Sequence, residues 1–382
     1  MAKFISTMFE TQSLISYIIS NWQSVIMGFF WLCVMISVIA FIHEWGHYIA
    51  ARFCGVKVEE FSIGMGREVA SIVDKKTGVK WKICMFPIGG YVKMLGQSDT
   101  PSSKKIKYIS KKEFNSSFEN KSNIEKILIA VMGPVMNFVL AFCLVWGIYT
   151  IHGKDKIKPI ASKVEVNSPA FIGGIRDGDK IVSFNNNKVS DFKEIMKLMY
   201  LNKNCDQINF TIERNSGVIK NLTVDPKSKL DNGDILCKLG IVANDFENVK
   251  YGFYKSFGEA KNSVNSMIKG SFKGIYEMIS GSRSFKELSG PLKIGKLSHE
   301  ASKYGLLEFL MLMVVISVGV GVANLLPIPV LDGRHIVMSI VAIIIRRDVP
   351  EKIQKVIYNI GFLLVLLLMT TGFINDFVSL IQ

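Results

Sequence analysis

The sequence predicts a polytopic α-helical membrane protein with four transmembrane helices, an inserted α+β domain and a β-hairpin on the cytoplasmic side. Apolar residues make up 49% of the 382-residue chain, an unusually high share for a soluble protein. Four runs of about 20 residues or more contain no Asp, Glu, Lys or Arg, and a run of that length can cross a bilayer. A soluble core seldom contains several such runs. They are Ser24 to Ile42, Ile127 to Ile151, Phe309 to Leu331 and Val356 to Asn375.

The distribution of basic residues predicts the orientation of these spans. The net charge of +14 could indicate a nucleic-acid partner, but the basic residues lie beside the spans, so we expect none. They concentrate between spans one and two and between spans three and four, whereas Lys3 is the only one in the first 23 residues. The positive-inside rule therefore places both these loops in the cytoplasm, and both termini and the long segment from Thr150 to Glu308 outside.

The apolar runs and the strand and turn patterns divide the chain into six segments. We find no cleavable signal peptide and expect the first span to remain in the mature protein. Strand-like sequences flank a DKKTG turn between the first two spans, which predicts the hairpin. The segments are 1–56, the first transmembrane helix; 57–125, the hairpin and a polar loop; 126–151, the second helix; 152–250, the α+β domain; 251–305, amphipathic linker helices; and 306–382, the third and fourth helices.

Within the α+β domain, SPAFIGGIRDGDKIVSFNN resembles the corresponding stretch of a PDZ domain, in a single copy. A PDZ fold binds an extended peptide or a carboxyl terminus by strand addition, so we expect a peptide or C-terminal ligand. A spacer domain with an unused groove remains an alternative. The domain also contains Cys205 and Cys237, which we expect to stay free, although an oxidising compartment would allow them to pair.

The first span contains the pentapeptide His43-Glu44-Trp45-Gly46-His47, an HExxH motif. Positions i and i+4 of a helix share a face, so the two imidazoles can hold one zinc ion while the glutamate acts on a water beside it. Ionisable residues inside a membrane are costly and functional by default. The alternative is a helix end whose imidazoles bond only to neighbours. The motif and its depth predict a zinc site with Glu44 as the catalytic residue.

A third zinc ligand is expected because a catalytic zinc generally takes three from the protein. Asp332 is the candidate, since it ends the third apolar run in NLLPIPVLDG; a turn carboxylate is the alternative. Pro327 and Pro329 should break this helix, and membrane depth tolerates such a break only beside protein or a water-filled cavity. Asn324 can stabilise the oxyanion of the scissile carbonyl, or it can make an interhelical contact.

Four further residues are candidates for positioning a substrate. A transmembrane substrate must be unwound before attack, and its freed backbone groups need partners. The edge of GGYVKM, with Gly89, Gly90 and Tyr91, can supply them by strand addition; an ordinary cytoplasmic hairpin is the equal alternative. Asn137 in the second span can steady the substrate backbone or bond to a neighbouring helix.

Together, the motifs HEWGH, FSIG.G, PIGGYVKMLG, GPVMNF, LSGP and NLLPIPVLDG resemble the bacterial site-2 protease family over essentially the whole chain. The resemblance implies zinc held by His43, His47 and Asp332, with Glu44 as catalytic glutamate. It also implies residence in the inner membrane of a Gram-negative bacterium. The implied substrate is the membrane segment of an anti-sigma factor that another protease has already cut outside the cytoplasm. Two features depart from the family pattern: a single PDZ-like unit, and Arg334 where a second glycine is frequent.

Two other functions fit parts of the sequence. A catalytically inactive scaffold could bind clients through the PDZ-like unit, but an intact Glu44 argues against it. A metal transporter could also use intramembrane His and Asp residues. It should have metal-binding residues strung along a pathway, whereas three strong candidates converge here. The sequence therefore favours a zinc metalloprotease whose substrates are membrane proteins in the lipid bilayer.

Overall fold

The computed structural model describes residues 22–97, 110–202, 205–214, 217–229, 235–284, 290–328 and 330–381. The chain divides into two compact units. The helical unit includes the chain up to Gly147 and again from Phe257 onwards, and the β-rich unit comprises Ile148–Ser256. Most of the segment before the first predicted span lies outside the described residues.

The first part of the helical unit consists of two long apolar helices joined by β-structure. Helix α1 runs unbroken through the HEWGH motif and is followed by Gly55, whose φ of +67° suits the left-handed conformation that commonly ends a helix. The elements in order are α1 (Trp22–Phe53), β1 (Val58–Val73), β2 (Lys80–Met94), α2 (Lys111–Asn115) and α3 (Asn123–Ile151).

Strands β1 and β2 form an antiparallel hairpin, as predicted, but the hairpin folds back on itself. Glu60 is paired with both Lys80 and Lys93, and Ile63 with both Ile83 and Gly90. Residues 58–63 of β1 therefore form the middle of a three-stranded arrangement, with the first part of β2 on one side and its last part on the other. Gly64 and Gly89 allow the bends, since each has a φ of +80°, a value that side chains disfavour. Within the described pairings, residues 90–94 form one edge of the resulting sheet.

Aromatic packing and one hydrogen bond attach this hairpin to α1. Phe61 is 1% exposed and stacks on Trp81 with ring centroids 4.6 Å apart, and Trp45 and Tyr48 of α1 contact both rings. The Ser37 hydroxyl donates to the Pro87 carbonyl at 3.0 Å. Because Ser37 precedes the HEWGH motif by less than two helical turns, the bend of β2 lies beside the middle of α1.

The β-rich unit contains ten short strands and two short helices in the part that is described. Its core is built from apolar residues that include Ile181, Phe184, Ile195 and Phe210. The largest sheet has the order β6-β5-β7-β8, and three strand pairs are β3-β12, β4-β11 and β9-β10. The elements are β3 (Lys154–Ile157), β4 (Lys163–Val164), α4 (Pro169–Ile172), β5 (Lys180–Phe184), β6 (Asn187–Lys188), α5 (Phe192–Leu201), β7 (Ile208–Arg214), β8 (Val218–Val224), β9 (Lys227–Lys229), β10 (Ile235–Cys237), β11 (Ile241–Val242) and β12 (Phe246–Val249).

After this unit the chain returns through five helices to complete the helical unit. Together with α1 and α3, two of these five make four described helices long and apolar enough to cross a membrane, the predicted number. The five are α6 (Phe253–Ile279), α7 (Pro291–Tyr304), α8 (Leu306–Leu325), α9 (Gly333–Ile345) and α10 (Glu351–Ile381). Helices α8 and α10 are the third and fourth candidate spans.

The third apolar run is not one helix from Phe309 to Leu331. Helix α8 ends at Leu325, the backbone is extended at Leu326 with ψ of 150°, and α9 starts at Gly333. Pro327 explains the extended residue before it, because the proline ring disfavours helical geometry at the preceding position. Pro329 was also predicted to contribute, but it lies outside the described residues.

Helix α7 packs into the helical unit. A Cβ atom added to Gly28 of α1 would lie 3.0 Å from the Gly295 carbonyl oxygen, so the two backbones approach closely. At the start of α7, the carboxylate of Asp376 in α10 accepts hydrogen bonds from the Gly290 and Lys293 amides at 2.8 and 3.0 Å. The linker segment is thus tied to the first and fourth spans.

The disulfide between Cys205 and Cys237 corrects the expectation of free thiols. The two Cα atoms are 5.4 Å apart across 32 residues of sequence. Cys205 lies after α5, and Cys237 ends β10, which pairs with β9. Spacing in the sequence could not reveal this pairing, because the fold of the whole unit brings the two loops together.

An Asp179–Arg214 ion pair fixes the start of β5 in this unit. The Asp179 side chain is 1% exposed and accepts hydrogen bonds from Arg214 Nε at 2.7 Å, from Nη2 at 2.6 Å and from the Arg176 amide at 2.8 Å. Burial acts to raise the pKa of Asp179, but the bonds from Arg214 and Arg176 outweigh it and hold that pKa below its ordinary value. Asp179 therefore stabilises the unit as a carboxylate.

The first prediction concerns the pH dependence of this ion pair. A depressed folded-state pKa contributes stability that is present above the unfolded value of about 4 and is lost as the pH falls through the folded value. Asp179→Asn should therefore destabilise the unit by on the order of 3 kcal/mol at pH 7, where it leaves Arg214 without its carboxylate. The measurement is hydrogen exchange, by mass spectrometry of the full-length protein, in peptides covering β5 and β7.

A matched control for this experiment is Glu213→Gln, which removes the exposed ion pair with Lys180 at 3.1 Å. Exposed pairs contribute little, so exchange in β5 and β7 should be nearly unchanged. Wild-type protection should fall as the pH drops below the unfolded value of about 4 and through the lower folded-state pKa, and that fall should be absent in Asp179→Asn. Equal protection of wild type and Asp179→Asn at pH 7 would contradict the assignment.

The second prediction concerns the disulfide. Cys205→Ser should destabilise the β-rich unit by about 3–4 kcal/mol, the chain-entropy value for a closed loop of this length. Thermal unfolding followed by hydrogen exchange would measure this, with Cys143→Ser as the control because Cys143 is an exposed free cysteine in α3. If maleimide labels Cys205 and Cys237 as readily before reduction as after it, the disulfide is absent from the folded protein.

Candidate metal centre

His43 and His47 lie on one face of α1 and converge on a single point. Their Nε2 atoms are 3.2 Å apart, and each residue is 7% exposed. The separation by four residues places the two rings one above the other on the helix surface, as predicted. Two unprotonated nitrogens at this distance repel each other unless a proton or a cation lies between them.

Asp332 completes the group from the end of the break after α8. It occupies the N-cap position of α9, yet its side chain makes no capping hydrogen bond and instead faces the imidazoles. Its Oδ2 atom lies 2.9 Å from His43 Nε2, and its Oδ1 atom lies 3.4 Å from His47 Nε2. Oδ2 is buried and has no hydrogen-bond partner within the described chain.

These distances fit a tetrahedral metal ion. Ligands about 2.0–2.1 Å from zinc in tetrahedral geometry lie about 3.3 Å from one another, close to the three separations in this group. His43, His47 and Asp332 are the group of three metal-ligating side chains found among the described residues. Three protein ligands leave one coordination position free, as is typical of a catalytic zinc rather than a structural one.

A backbone carbonyl sets the orientation of the His47 ring. His47 Nδ1 lies 2.8 Å from the Ile129 carbonyl oxygen of α3. A carbonyl only accepts hydrogen bonds, so Nδ1 must carry the proton. The Nε2 lone pair then faces Asp332 and His43, as a metal ligand requires.

Asn137 orients the His43 ring in the same way. Its side-chain amide lies 3.1 Å from His43 Nδ1, and its Oδ1 atom is buried without a partner within the described chain. With the amide turned over, Oδ1 accepts the proton of His43 Nδ1, and the Nε2 lone pair is free for a metal. The structure thus places Asn137, a candidate for holding substrate, against a ligand ring.

Two glycines allow α1 and α3 to pack closely around the imidazoles. A Cβ atom on Gly133 of α3 would lie 2.4 Å from His47 Nε2 and 2.8 Å from His43 Cε1. A Cβ atom on Gly46 of α1 would lie 2.2 Å from the Met132 carbonyl oxygen. Any larger residue at either position would displace a ligand ring or separate the helices.

Glu44 lies between the ligand group and the edge of β2. Its Cγ atom would be 3.3 Å from a Cβ atom on Gly90, and the Val92 amide hydrogen-bonds to its carboxylate. Gly89 adjoins this contact at the bend. The structure therefore brings Gly89, Gly90 and Glu44 together, and places the predicted edge strand beside the predicted catalytic glutamate.

Tyr91 is fixed on the same strand by polar contacts. Lys82 Nζ lies 2.5 Å from both Tyr91 Oη and Glu60 Oε2, and the Tyr91 hydroxyl donates to Glu60 at 3.4 Å. The Glu60 pKa is lowered, first by its hydrogen bond to Lys82. The ion pair therefore holds the Tyr91 ring in place next to the site.

A cavity of about 360 Å³ opens beside these groups. Glu44, His47 and Asp332 all contribute to its wall, so it can hold water and a stretch of substrate backbone. Asn324, the candidate oxyanion donor, lies in the last turn of α8 and is not among the lining residues. The other lining residues are Met65, Tyr91, Val92, Met94, Gln97, Phe118, Ile129, Ala130, Val330, Leu331, Arg334, His335 and Tyr358.

Sequence reasoning missed three contributors to this site. The Ile129 carbonyl bonds to His47, and Gly133 lets the backbone of α3 approach both imidazoles. Such contacts between two helices are not visible in the local sequence. The available signal was the GPVMN sequence around Pro134 in an otherwise apolar span. His335 lines the cavity and packs edge-on against Phe118, with ring centroids 5.6 Å apart. Its position three residues after Asp332, about one helical turn, could have suggested that role.

Comparison with known proteins agrees with this geometry. The sequence matches the family model described as Peptidase family M50 over residues 31–368. A Rickettsia conorii protein named "putative zinc metalloprotease" is 36% identical over 93% of this chain and 99% of its own length. Proteins of the same description from Clostridium acetobutylicum and Mesorhizobium japonicum are 34% and 31% identical, over 92% and 90% of this chain and 98% and 96% of their own lengths.

The matched region contains His43, Glu44, His47 and Asp332 and covers most of the chain. The relatives are matched over nearly their full lengths. The chain therefore belongs to peptidase family M50, the site-2 protease family, and is a zinc metalloprotease.

Proposed function

We propose that this protein is an intramembrane-cleaving endopeptidase that hydrolyses the transmembrane segments of single-pass proteins in regulated intramembrane proteolysis. One observation carries the proposal. The group formed by His43, His47 and Asp332 lies in α1 and at the break after α8, and both helices are long and apolar enough to cross a membrane. A peptide bond that reaches this group must therefore enter the bilayer.

The edge formed by residues 90–94 supports a role in holding an unwound substrate. A helix has to lose its internal hydrogen bonds before its carbonyls can be attacked, and in lipid those groups need new partners. A free strand edge offers main-chain donors and acceptors in register. Because Gly90 contacts Glu44, a strand added here would run past the catalytic carboxylate. Gly89 then allows the bend that precedes this edge, and Tyr91 forms part of the wall beside the added strand.

The chemistry follows from the groups around the scissile bond. Zinc, when bound by His43, His47 and Asp332, supplies a Lewis acid that lowers the pKa of water and polarises the carbonyl. Glu44 takes the proton of the attacking water on its carboxylate and gives it to the leaving amine. The Val92 amide holds that carboxylate in position between the two transfers. We also propose Asn324, in the last turn of α8, as a donor to the oxyanion, a role that requires its side chain to reach the cavity when substrate is bound.

The topology proposed for the membrane follows from the charge distribution and the disulfide. Basic loops lie inside and both termini lie outside under the positive-inside rule. The segment between the second and third spans then lies outside the cytoplasm, where the Cys205–Cys237 disulfide can form and persist. We therefore place the protein in a bacterial inner membrane with its β-rich unit in the periplasm.

The β-rich unit supports a proposal for a second partner. The sequence from Ser168 through the Asp177-Gly178-Asp179 turn resembles a PDZ domain, so we assign it a peptide or C-terminal ligand. The order of motifs along the chain resembles that of the regulator of sigma-E protease. An anti-sigma factor cut first on its periplasmic side is therefore the proposed class of physiological substrate.

The third prediction tests the catalytic role of Glu44. Glu44→Gln keeps the size of the side chain and all three metal ligands but cannot carry the proton, so cleavage should fall by at least about 10²-fold. The measurement is cleavage of a tagged single-span protein by purified enzyme in lipid vesicles, with zinc content determined in parallel. Glu59→Gln, which removes only the surface contact with Lys93, is the control. Cleavage by Glu44→Gln at the wild-type rate would exclude the mechanism.

The fourth prediction tests the positioning role of Asn137. Asn137→Ala removes the acceptor for His43 Nδ1, and the affinity for zinc should fall about 10–100-fold. Asn137→Asp retains an acceptor and should restore most of it. Ser317→Ala serves as the control, because Ser317 donates only to the Asn137 backbone carbonyl, at 2.9 Å. Competition with a chelator measures the affinity, and a value for Asn137→Ala equal to that of wild type would contradict the role.

A further inference from the structure

The cavity beside the metal ligands contains an imidazole that the proposed chemistry does not use. His335 lies on the cavity wall, as do Glu44 and Asp332. It does not belong to the three side chains that can hold a metal. Ionisable side chains inside a membrane protein are costly and are functional by default, so a role other than metal binding has to account for His335.

The start of α9 places His335 next to the ligand Asp332. Asp332 has helical backbone angles, with φ of −57° and ψ of −32°, and His335 follows three residues later inside α9. Side chains three residues apart on a helix are neighbours, with Cβ atoms about 5–6 Å apart. A substrate carbonyl that reaches the free coordination position beside Asp332 is therefore within range of the His335 ring.

A hydrogen bond from Arg334 fixes the tautomer of His335. Arg334 Nη2 lies 3.0 Å from His335 Nε2. A guanidinium has only donors, so Nε2 accepts, and the single proton of the neutral ring is on Nδ1. A doubly protonated ring would have no lone pair for this bond and would place two cations side by side. His335 is therefore a neutral imidazole that can donate at Nδ1, irrespective of the other contacts that Arg334 makes.

The Nδ1 atom of His335 is available to a ligand. Within the described chain it has no hydrogen-bond acceptor, and it is not closed off from solvent. The ring packs edge-on against Phe118, at an interplanar angle of 83°. Phe118 is itself buried and donates its amide to the Leu95 carbonyl at 2.7 Å. Arg334 and Phe118 thus hold the imidazole in place, while its N–H remains free for the cavity.

We propose that His335 is a catalytic residue whose Nδ1–H donates a hydrogen bond to the oxyanion that forms when the scissile carbonyl is attacked. Side chains of histidine serve as oxyanion donors, and a neutral imidazole can polarise a carbonyl. Asn324 must turn toward the cavity to contribute, whereas His335 already lines it. This inference rests on the proposed function and deepens it, because it adds a residue to the same reaction.

The step balances without a proton leaving His335. The water oxygen forms a bond to the carbonyl carbon, the π electrons of the carbonyl move to its oxygen, and Glu44 takes a water proton. That oxygen then accepts the hydrogen bond from Nδ1–H. When the C–N bond breaks, the carbonyl re-forms and Glu44 gives its proton to the amine, which leaves a carboxylic acid and a free amine. Because the charge on the oxygen arises only during reaction, the bond accelerates the chemistry more than it strengthens substrate binding.

The first experiment measures kcat and KM of the full-length zinc-loaded enzyme in lipid vesicles with a tagged single-span substrate. His335→Ala should lower kcat by about 10²–10³-fold with little change in KM, as for loss of one oxyanion donor. His335→Asn should recover part of this loss, because its amide N–H can take the place of Nδ1–H. His335→Leu, which has no donor, should not. The control is His152→Ala, which removes an exposed histidine just after α3 and should leave both constants unchanged.

A transition-state analogue separates an oxyanion role from a structural one. The probe is a phosphinic peptide with the sequence of the mapped cleavage site, in which a phosphinate oxygen takes the place of the oxyanion. His335→Ala should weaken its binding by about the factor lost in kcat, since the affinity of such an analogue follows that of the transition state. The affinity for zinc, from competition with a chelator, should not change. Nor should the affinity for the normal peptide, measured with and without His335→Ala in the uncleaving Glu44→Gln enzyme.

Nuclear magnetic resonance of ¹⁵N-labelled histidine tests the tautomer directly. The chain contains five histidines, so the signals of His335 are identified by their loss in His335→Asn. In the zinc-loaded wild type we expect the proton on Nδ1, and we expect its signal to shift when the phosphinic peptide binds.

The possible outcomes are distinct. A wild-type kcat in His335→Ala overturns the catalytic role, and so does a proton on Nε2. Equal losses of affinity for the phosphinic and the normal peptide, or a loss of zinc, identify a structural role and overturn the proposal as well. In each of these cases, a continued requirement for Glu44 leaves the proposed function intact. If wild type cleaves no single-span substrate, the proposed function itself fails, and the role of His335 is rejected with it.

Discussion

The structure depends on one local constraint, the enforced proximity of two imidazoles and a carboxylate inside a helical membrane unit. His43, His47 and Asp332 come together with ligand atoms 2.9–3.4 Å apart, away from bulk water. Without a cation at their centre, the nitrogen lone pairs and the carboxylate charge would be desolvated and would repel one another. Zinc removes this cost, so metal binding and the packing of α1, α3 and the break after α8 stabilise one another.

The remaining architecture orients the groups around this point. Ile129 and Asn137 of α3 fix the proton of each imidazole on Nδ1, and Gly133 lets the two helices approach closely enough for both contacts. On another face of α1, Trp45 and Tyr48 pack with Phe61 and hold the hairpin against the helix. Glu44, the proposed catalytic residue, is thereby placed between the metal ligands and the strand edge formed by residues 90–94, so the proposed chemistry and the proposed substrate binding share one scaffold.

The parts predicted from sequence are those set by local pattern. Uncharged runs give the four spans, and the spacing of His43 and His47 gives two ligands, because helical periodicity alone places them on one face. Asp332 followed because a catalytic zinc takes a third protein ligand and Asp332 ends the third apolar run. The break after α8 was predicted from Pro327 and Pro329, because a proline acts on its own neighbours in the chain. By contrast, Asn137 was left between a substrate contact and an interhelical contact, and Cys205 was expected to be free. Both depend on contacts between segments distant in sequence, which local patterns do not contain.

The geometry of the break restricts the residues around the ligand Asp332. A Cβ atom on Gly333 would lie 1.8 Å from the Leu326 carbonyl oxygen, so this position accepts only glycine. Asp332 is committed to the metal group by its side chain. Arg334 is then the first residue after the ligand that can carry a side chain into the cavity without disturbing the turn. One short segment thus directs Asp332 to the metal group and Arg334 to the cavity wall.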